Sequence, residues 1–422
     1  MNYGNENMKI LEVDKKQIDD VLEFCDYIVD NCHPRLSGTP GCKKAADLIE
    51  DKMEKICGKD NTSMEEFKLH PKAFLKWIRP TILIYIISSI FLLIRWIEIA
   101  TIGYLLADAL LIGQFVFYSG IFDFLWPEAT GYNVFGKIEP EGEVKQQIII
   151  SGHHDAAYVF NLMDKSPILY GISMFGGISM LFFTTIVSIV GTLMKWVQQS
   201  YPVFLGTWLH YFLIIAVLFI IPLWFFTTDR VTPGVGDNLI AVGIVLEMGK
   251  ALVQLKAAGD YPLQNTRIIL MSFDGEEAGT RGARAYARAH KDELLDLKTY
   301  NFNMDGLYSV EGITFLESDL NGTIKLDKEM AQECTNIAHK LGYPEVNMMK
   351  FPFGGGATDA AQFGKIGVTA TSFFGVETTL KALDNMVYHS PRDTTDAIDP
   401  KVIQASLEIM SVFIQKREEE IT

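Results

Sequence analysis

Positive charge is what this chain is short of: 37 Lys and Arg stand against 52 Asp and Glu, a formal net charge of −15 over 422 residues. The basic residues are not gathered into patches, and phosphate neutralisation needs such gathering, so nucleic acid is excluded as a partner. Cysteine is scarce as well. The five, Cys25, Cys32, Cys42, Cys57 and Cys334, are odd in number and lack metal-type spacing, which argues for reduced thiols rather than a disulfide framework. The opening residues, Met1-Asn2-Tyr3-Gly4-Asn5-Glu6-Asn7, offer neither a basic n-region nor an apolar h-region, so no cleaved signal peptide is expected.

What the chain does hold is long apolar runs. Its hydrophobic fraction of 49% and mean hydropathy of +0.16 average two kinds of sequence. Residues 1–70 and 239–422 read as ordinary soluble protein, whereas 80–97, 99–126, 167–194 and 202–226 are long enough in an apolar helix to cross a hydrocarbon core of roughly 30 Å. They form two helical hairpins. The expected organisation is therefore a soluble domain in pieces, 1–78, 128–165 and 229–422, with transmembrane hairpins at 79–127 and 166–228. A multi-pass integral membrane protein with the lipid bilayer as a partner is expected. Lys72, Lys76, Arg79, Lys165 and Arg230 lie close to the membrane on the domain side, against Arg95 and Lys195 in the short connecting loops, which favours a cytoplasmic domain. Asp108 and His210 fall within spans, where an ionisable group is costly unless it is paired or faces a cavity. An interhelical hydrogen bond is the expected role of each.

In the soluble parts, the runs 147–151, 267–273, 301–304 and 368–374 are short, continuous and rich in Ile, Val and Phe, as central strands buried on both faces are. Helical patterns occupy 14–29, 42–56, 239–256, 282–295, 327–341 and 401–416. Alternating strands and helices predict an α/β fold of three layers, α/β/α, around a mixed, largely parallel sheet. Ligands in such folds gather at the carboxyl ends of the strands. The polar clusters fall there: His153-His154-Asp155 after the first run, Asp274 to Glu277 after the second, and Asp305 after the third. Asp237, in Gly236-Asp237-Asn238, and His389, in Tyr388-His389-Ser390-Pro391-Arg392-Asp393-Thr394, complete the set.

Imidazoles among carboxylates suit zinc, manganese or cobalt, and two His among several carboxylates can serve two ions that share a bridging ligand. An Asp close to a liganding His can orient the ring. Adjacent Glu276 and Glu277 diverge at a strand end, so one can bind metal while the other acts as general base.

In these residues the chain resembles metallopeptidase family 28, the co-catalytic zinc aminopeptidases and glutamate carboxypeptidase-like enzymes, as a membrane-embedded member. The similarity begins at His33-Pro34-Arg35-Leu36-Ser37-Gly38-Thr39-Pro40-Gly41. It runs through His153-x-Asp155, Gly234-x-x-Asp237-Asn238, Glu276-Glu277 and Asp305, and ends in Gly356-Ala357-Thr358-Asp359-Ala360-Ala361-Gln362-Phe363 and the His389 motif. The resemblance implies a zinc-exopeptidase domain with two Zn2+, replaceable by Mn2+ or Co2+. It implies that His153 and Asp305 hold one ion, that Glu277 and His389 hold the other, and that Asp237 bridges them. Asp155 would orient His153, and Glu276 would be general base on the metal-bridging water. The register of the motif selects His153 over His154.

The implied function is a dinuclear zinc exopeptidase that hydrolyses peptide bonds, an aminopeptidase, with carboxypeptidase or amidohydrolase action on the same residues as the alternative. Arg281, Arg284 and Arg392 are candidate partners for a substrate carboxylate. A peptide-binding receptor or transporter that keeps the fold is the reading from another class. Soluble members of the family join the His-x-Asp strand to the Asp-Asn loop by a short connection, whereas here an apolar hairpin intervenes. A site opening toward the bilayer and a membrane-associated peptide substrate are therefore expected.

Overall fold

The computed structural model describes residues 11–259, 263–376 and 386–421. The chain divides into two compact units, one formed by Met1–Pro71, Glu128–Ala157 and Val231–Thr422, the other by Lys72–Pro127 and Tyr158–Arg230.

The strands in chain order are β1 (Thr62–Leu69), β2 (Ala129–Ile138), β3 (Gln146–His153), β4 (Tyr158–Phe160), β5 (Thr227–Val231), β6 (Thr266–Phe273), β7 (Lys298–Asp305), β8 (Thr314–Asp319), β9 (Ile324–Lys325), β10 (Asn347–Lys350) and β11 (Thr369–Phe374). Nine of the described strands build the sheet of the first unit, in the order β1-β2-β6-β3-β7-β11-β8-β10, with β9 alongside β8. The centre is parallel: β3 pairs with β6 and with β7, and β7 with β11. The flanks are antiparallel at β1-β2, β2-β6 and β11-β8.

Every residue of β3 is buried, and Ile148, Ile149 and Ile150 alternate sides with no exposure at all. A strand so shielded on both faces requires helices above and below, which makes the unit three layers. Local signals start these helices where they begin. Asp14 and Gln17 form a capping box for Lys15–Cys32, and Thr39 accepts from Cys42 N at the head of Pro40–Cys57, where Pro40 occupies the first turn. Asp327 and Asp399 cap Lys328–Lys340 and Pro400–Glu419 in the same manner. The helical stretch expected over 282–295 is two helices, Arg281–Ala289 and Lys291–Asp296.

Among the described residues, four helices are long and apolar enough to cross a membrane: Ala73–Leu93, Ile97–Val116, Pro167–Gln198 and Val235–Ala258. The last belongs to the first unit, and 78% of its apolar window is buried inside the protein. Its hydrophobicity on all sides is that of a core helix. In the second unit, residues 202–226 are helical in pieces, Val203–Thr207, Leu209–Ile220 and a 3-10 turn Ile221–Phe225, rather than one continuous helix. Pro222, which lacks the N–H that an α-helix needs, marks the last break.

The helices of the second unit expose rows of large aliphatic side chains, among them Leu83, Ile87, Ile90, Ile102, Leu105, Ile186 and Leu218. Their inward faces carry hydroxyls: Tyr85 Oη and Thr184 Oγ1 are 3.1 Å apart, Ser89 Oγ and Tyr104 Oη 2.9 Å, and Thr101 Oγ1 and Thr192 Oγ1 2.9 Å. Small residues and interhelical hydroxyl bonds hold helices together where the surroundings are apolar. Gly103 packs directly on Ser88, and Gly191 on Leu205 and Ile97. Asp108 is buried. The side chain of His210 lies outside the described residues.

Candidate metal centre

Three parallel strands end side by side and deliver the polar residues together. His153 is the last residue of β3, and Asp305 the last of β7, while Asp274, Glu276 and Glu277 follow β6. The carboxyl ends of adjacent parallel strands point the same way, so residues far apart in sequence meet there.

Asp237 reaches the group from the loop that leads into helix Ile240–Ala258. Its carboxylate lies between two imidazoles, with Oδ1 3.1 Å from His153 Nε2 and Oδ2 2.9 Å from His389 Nε2. Glu277 Oε1 is 3.3 Å from the same His389 nitrogen, and Glu276 Oε2 is 3.9 Å from His153 Nε2. One donor atom from each of His153, Asp237 and Glu277 falls within 4.8 Å of the others. On its other side, His153 Nδ1 lies 3.4 Å from Asp155 Oδ1. Asp155 also accepts from the backbone N–H groups of Glu276 and Glu277, each at 3.1 Å, so one carboxylate ties the end of β3 to the loop after β6.

The loop that carries Asp237 is held by residues from elsewhere in the chain. Asp393 accepts from Gly236 N at 2.7 Å and Asp237 N at 3.4 Å, and Asn238 Nδ2 donates to Met304 O at 2.8 Å. Arg35, with no exposed surface, donates to the carbonyls of His154, Pro233 and Gly234. The opening loop is thus a clamp across the segments that carry His153 and Asp237.

Negative charge is crowded here. Burial, reinforced by neighbouring carboxylates, pushes the Glu277 carboxyl up to about 7 and holds those of Glu276 and Asp305 well above the usual range. For Asp237, burial is outweighed by hydrogen bonds from His153 and His389, which hold it below the usual range. Burial works against a charged ring at His389, yet Glu277 and the bonds to Asp237 and Glu277 bring it up to about 10. At His153, burial is likewise overcome, by Asp155 and Asp237 first.

Two imidazoles cannot balance four buried carboxylates, and Asp305 Oδ2 has no hydrogen-bond partner. A divalent cation would meet both needs, and the His and carboxylate donors are those that zinc accepts. The seven residues expected from the sequence, His153, Asp155, Asp237, Glu276, Glu277, Asp305 and His389, all gather at this one place. Arg281 is buried and donates from Nη1 to Gly279 O at 3.2 Å, and Arg392 donates to Met386 O at 2.7 Å.

Sequence reasoning missed several members. Asp359 is buried with neither carboxylate oxygen hydrogen-bonded, and burial pushes it up to about 8 against the pull of His153. Its place in Thr358-Asp359, ahead of a short helix, was visible, but nothing in one sequence says that it turns inward. His154 points away from the cluster just described: Nδ1 pairs with Ser272 Oγ at 2.8 Å, and burial drives its ring down to about 3. There it meets Cys42 and Asp274, one donor atom from each of the three lying within 4.8 Å. Burial, with Asp155 beside it, pushes Asp274 up to about 7. The contact between Cys42 and Asp274 joins residues 232 apart, a separation that no spacing rule reads.

Residues 224–414 match the family model of Peptidase family M28. No curated protein compared with the chain matches it. Among solved structures, a Zn-dependent exopeptidase from Parabacteroides distasonis superposes with a TM-score of 0.53 at 13% identity, covering 95% of this chain and 98% of that one. The zinc aminopeptidase BSAP from Bacillus subtilis gives 0.54 at 14%, covering 96% and 95%. A glutaminyl cyclase from Fimbriiglobus ruber gives 0.55 at 13%, covering 98% and 99%. At these identities the likeness is one of fold.

Proposed function

Because residues 224–414 match the model of Peptidase family M28, we propose that the chain is a metal-dependent peptidase, an exopeptidase of the aminopeptidase type working with two zinc ions at this centre. The observation that carries the reading is the Asp237 carboxylate, one oxygen turned to His153 and the other to His389, the arrangement a bridging ligand needs. His153 and Asp305 would hold one ion, Glu277 and His389 the other. When bound, the ions supply Lewis acidity toward the scissile carbonyl and make water a stronger acid.

The remaining steps belong to the protein. Asp155 keeps His153 Nδ1 engaged, which leaves Nε2, turned to Asp237, as the nitrogen that would hold an ion. Glu276, largely buried and not assigned as a ligand, accepts a proton from the attacking water and passes it to the leaving amine. Its burial raises the affinity for that proton. Arg35 and Asp393 fix the Asp237 loop from behind.

The experiment is a screen of detergent-purified protein against aminoacyl and N-blocked peptides, with zinc, manganese and cobalt compared. Cleavage of free-amine substrates is expected. Cleavage of N-blocked substrates alone would move the assignment to a carboxypeptidase or amidohydrolase, and binding without turnover by the metallated protein to a receptor or transporter.

The same reading makes the chain a multi-pass integral membrane protein with its catalytic domain in the cytoplasm. The exposed aliphatic rows of the second unit support the first part, and Lys72, Lys76, Arg79, Lys165 and Arg230 beside the spans support the second. A reporter at the carboxyl terminus is expected to read as cytoplasmic, and one in the loop near Gln199 as external. The peptidase unit is interrupted between Asp155 and Asp237, and this connectivity favours a membrane-associated peptide as substrate. Equal turnover and affinity for a peptide and its lipid-anchored form would count against that part.

A further inference from the structure

The unassigned cluster behind the metal centre has the makings of a second, different metal site. Cys42 comes from the first turn of helix Pro40–Cys57, His154 from the residue after β3, and Asp274 from the residue after β6. Cys42 is 1% exposed, and His154 and Asp274 are not exposed at all. One donor atom from each lies within 4.8 Å of the other two. Cys42 Sγ stands 3.3 Å from Asp274 Oδ1, while Asp274 Oδ2 is occupied by the backbone N–H of Tyr132 at 2.9 Å. The imidazole has Ser272 Oγ on Nδ1, and its Nε2, fully buried, has no hydrogen-bond partner.

We propose that Cys42, His154 and Asp274 bind one divalent cation of the zinc type as a structural site. A thiolate, a neutral imidazole and a carboxylate balance the charge of such an ion, and all three are accepted zinc ligands. Binding displaces the Cys42 thiol proton, and any proton on Asp274, to solvent. A hydrogen bond from the second ring nitrogen to a nearby oxygen, like that to Ser272, is the usual orienting contact of a metal-bound histidine. The ion would fasten the opening helix to the ends of β3 and β6, next to His153 and Glu276, so its role is to position the catalytic segments.

Sulfur makes the site separately visible, because the catalytic donors contain none. Full-length protein produced in Co2+-supplemented medium and purified in detergent is expected to show a near-ultraviolet thiolate-to-cobalt charge-transfer band. Cys42→Ala should abolish it and lower the metal content by one ion per chain, and a variant that keeps Cys42 as its single cysteine should retain it. Absence of the band from the cobalt-loaded wild type, or its persistence in Cys42→Ala, overturns the proposal, and neither result depends on whether the protein cleaves peptides.

Discussion

Asp155 does three things with two oxygens. It lies 3.4 Å from His153 Nδ1 and accepts from the backbone N–H groups of Glu276 and Glu277. Asp155→Asn keeps the shape but replaces one acceptor by a donor, so one of those N–H groups loses its partner and the imidazole loses its anchor. Affinity for zinc is expected to fall about 10- to 100-fold, the usual effect of removing such an orienting partner, as measured by titration against a chelator. An unchanged affinity would mean that His153 is oriented by something else. The residues that gather at the candidate centre were legible in the sequence because each stands at a strand end or in a short polar motif. Arg35, Asp393 and Asp359 were not assigned roles, since their contribution lies in contacts with segments far along the chain.

Strand β3 and helix Ile240–Ala258 touch where Gly152 faces Ala241. A Cβ added at Gly152 would stand 2.6 Å from Ala241 Cβ and 3.3 Å from its backbone carbonyl carbon. Neither atom can swing aside, so Gly152→Ala must separate strand from helix, and His153 is the next residue. A loss of about 1–3 kcal/mol is expected in chemical unfolding, with a fall in activity beyond it. A variant as stable and active as the wild type would show that this contact is slack.

At the same scale the central strands were readable from runs such as Ile148-Ile149-Ile150, because a strand covered on both faces needs no polar alternation. Strands β1 and β2 were not anticipated. All of β1 pairs with β2 although the first apolar hairpin separates them in the chain, so no hairpin turn announces them. The long apolar helix Val235–Ala258 shows the converse, since a core helix and a membrane span share a composition and differ in what surrounds them.

For the whole molecule, the buried acids set a pH dependence. Burial pushes Asp319 up to about 6, Asp393 up to about 7 and Asp359 up to about 8, all in the first unit. Unfolded, such groups titrate near about 3.9, so between that value and the folded ones the native state holds more protons. Stability from these groups is therefore present in acid and lost as pH rises through the folded values. The Tm of metal-free protein is expected to decline from about pH 5.5 to 8.5. A Tm that rises over that range would contradict the assignment of these carboxyls as buried and protonated.

The account rests on Glu276 as the proton carrier of a metal-dependent hydrolysis, and kcat of fully metallated Glu276→Gln on an aminoacyl substrate tests it most directly. With metal content and thermal stability matched to the wild type, kcat is expected to drop by about 10²- to 10⁴-fold while KM changes little. A variant that turns over at the wild-type rate with its metals in place would contradict it.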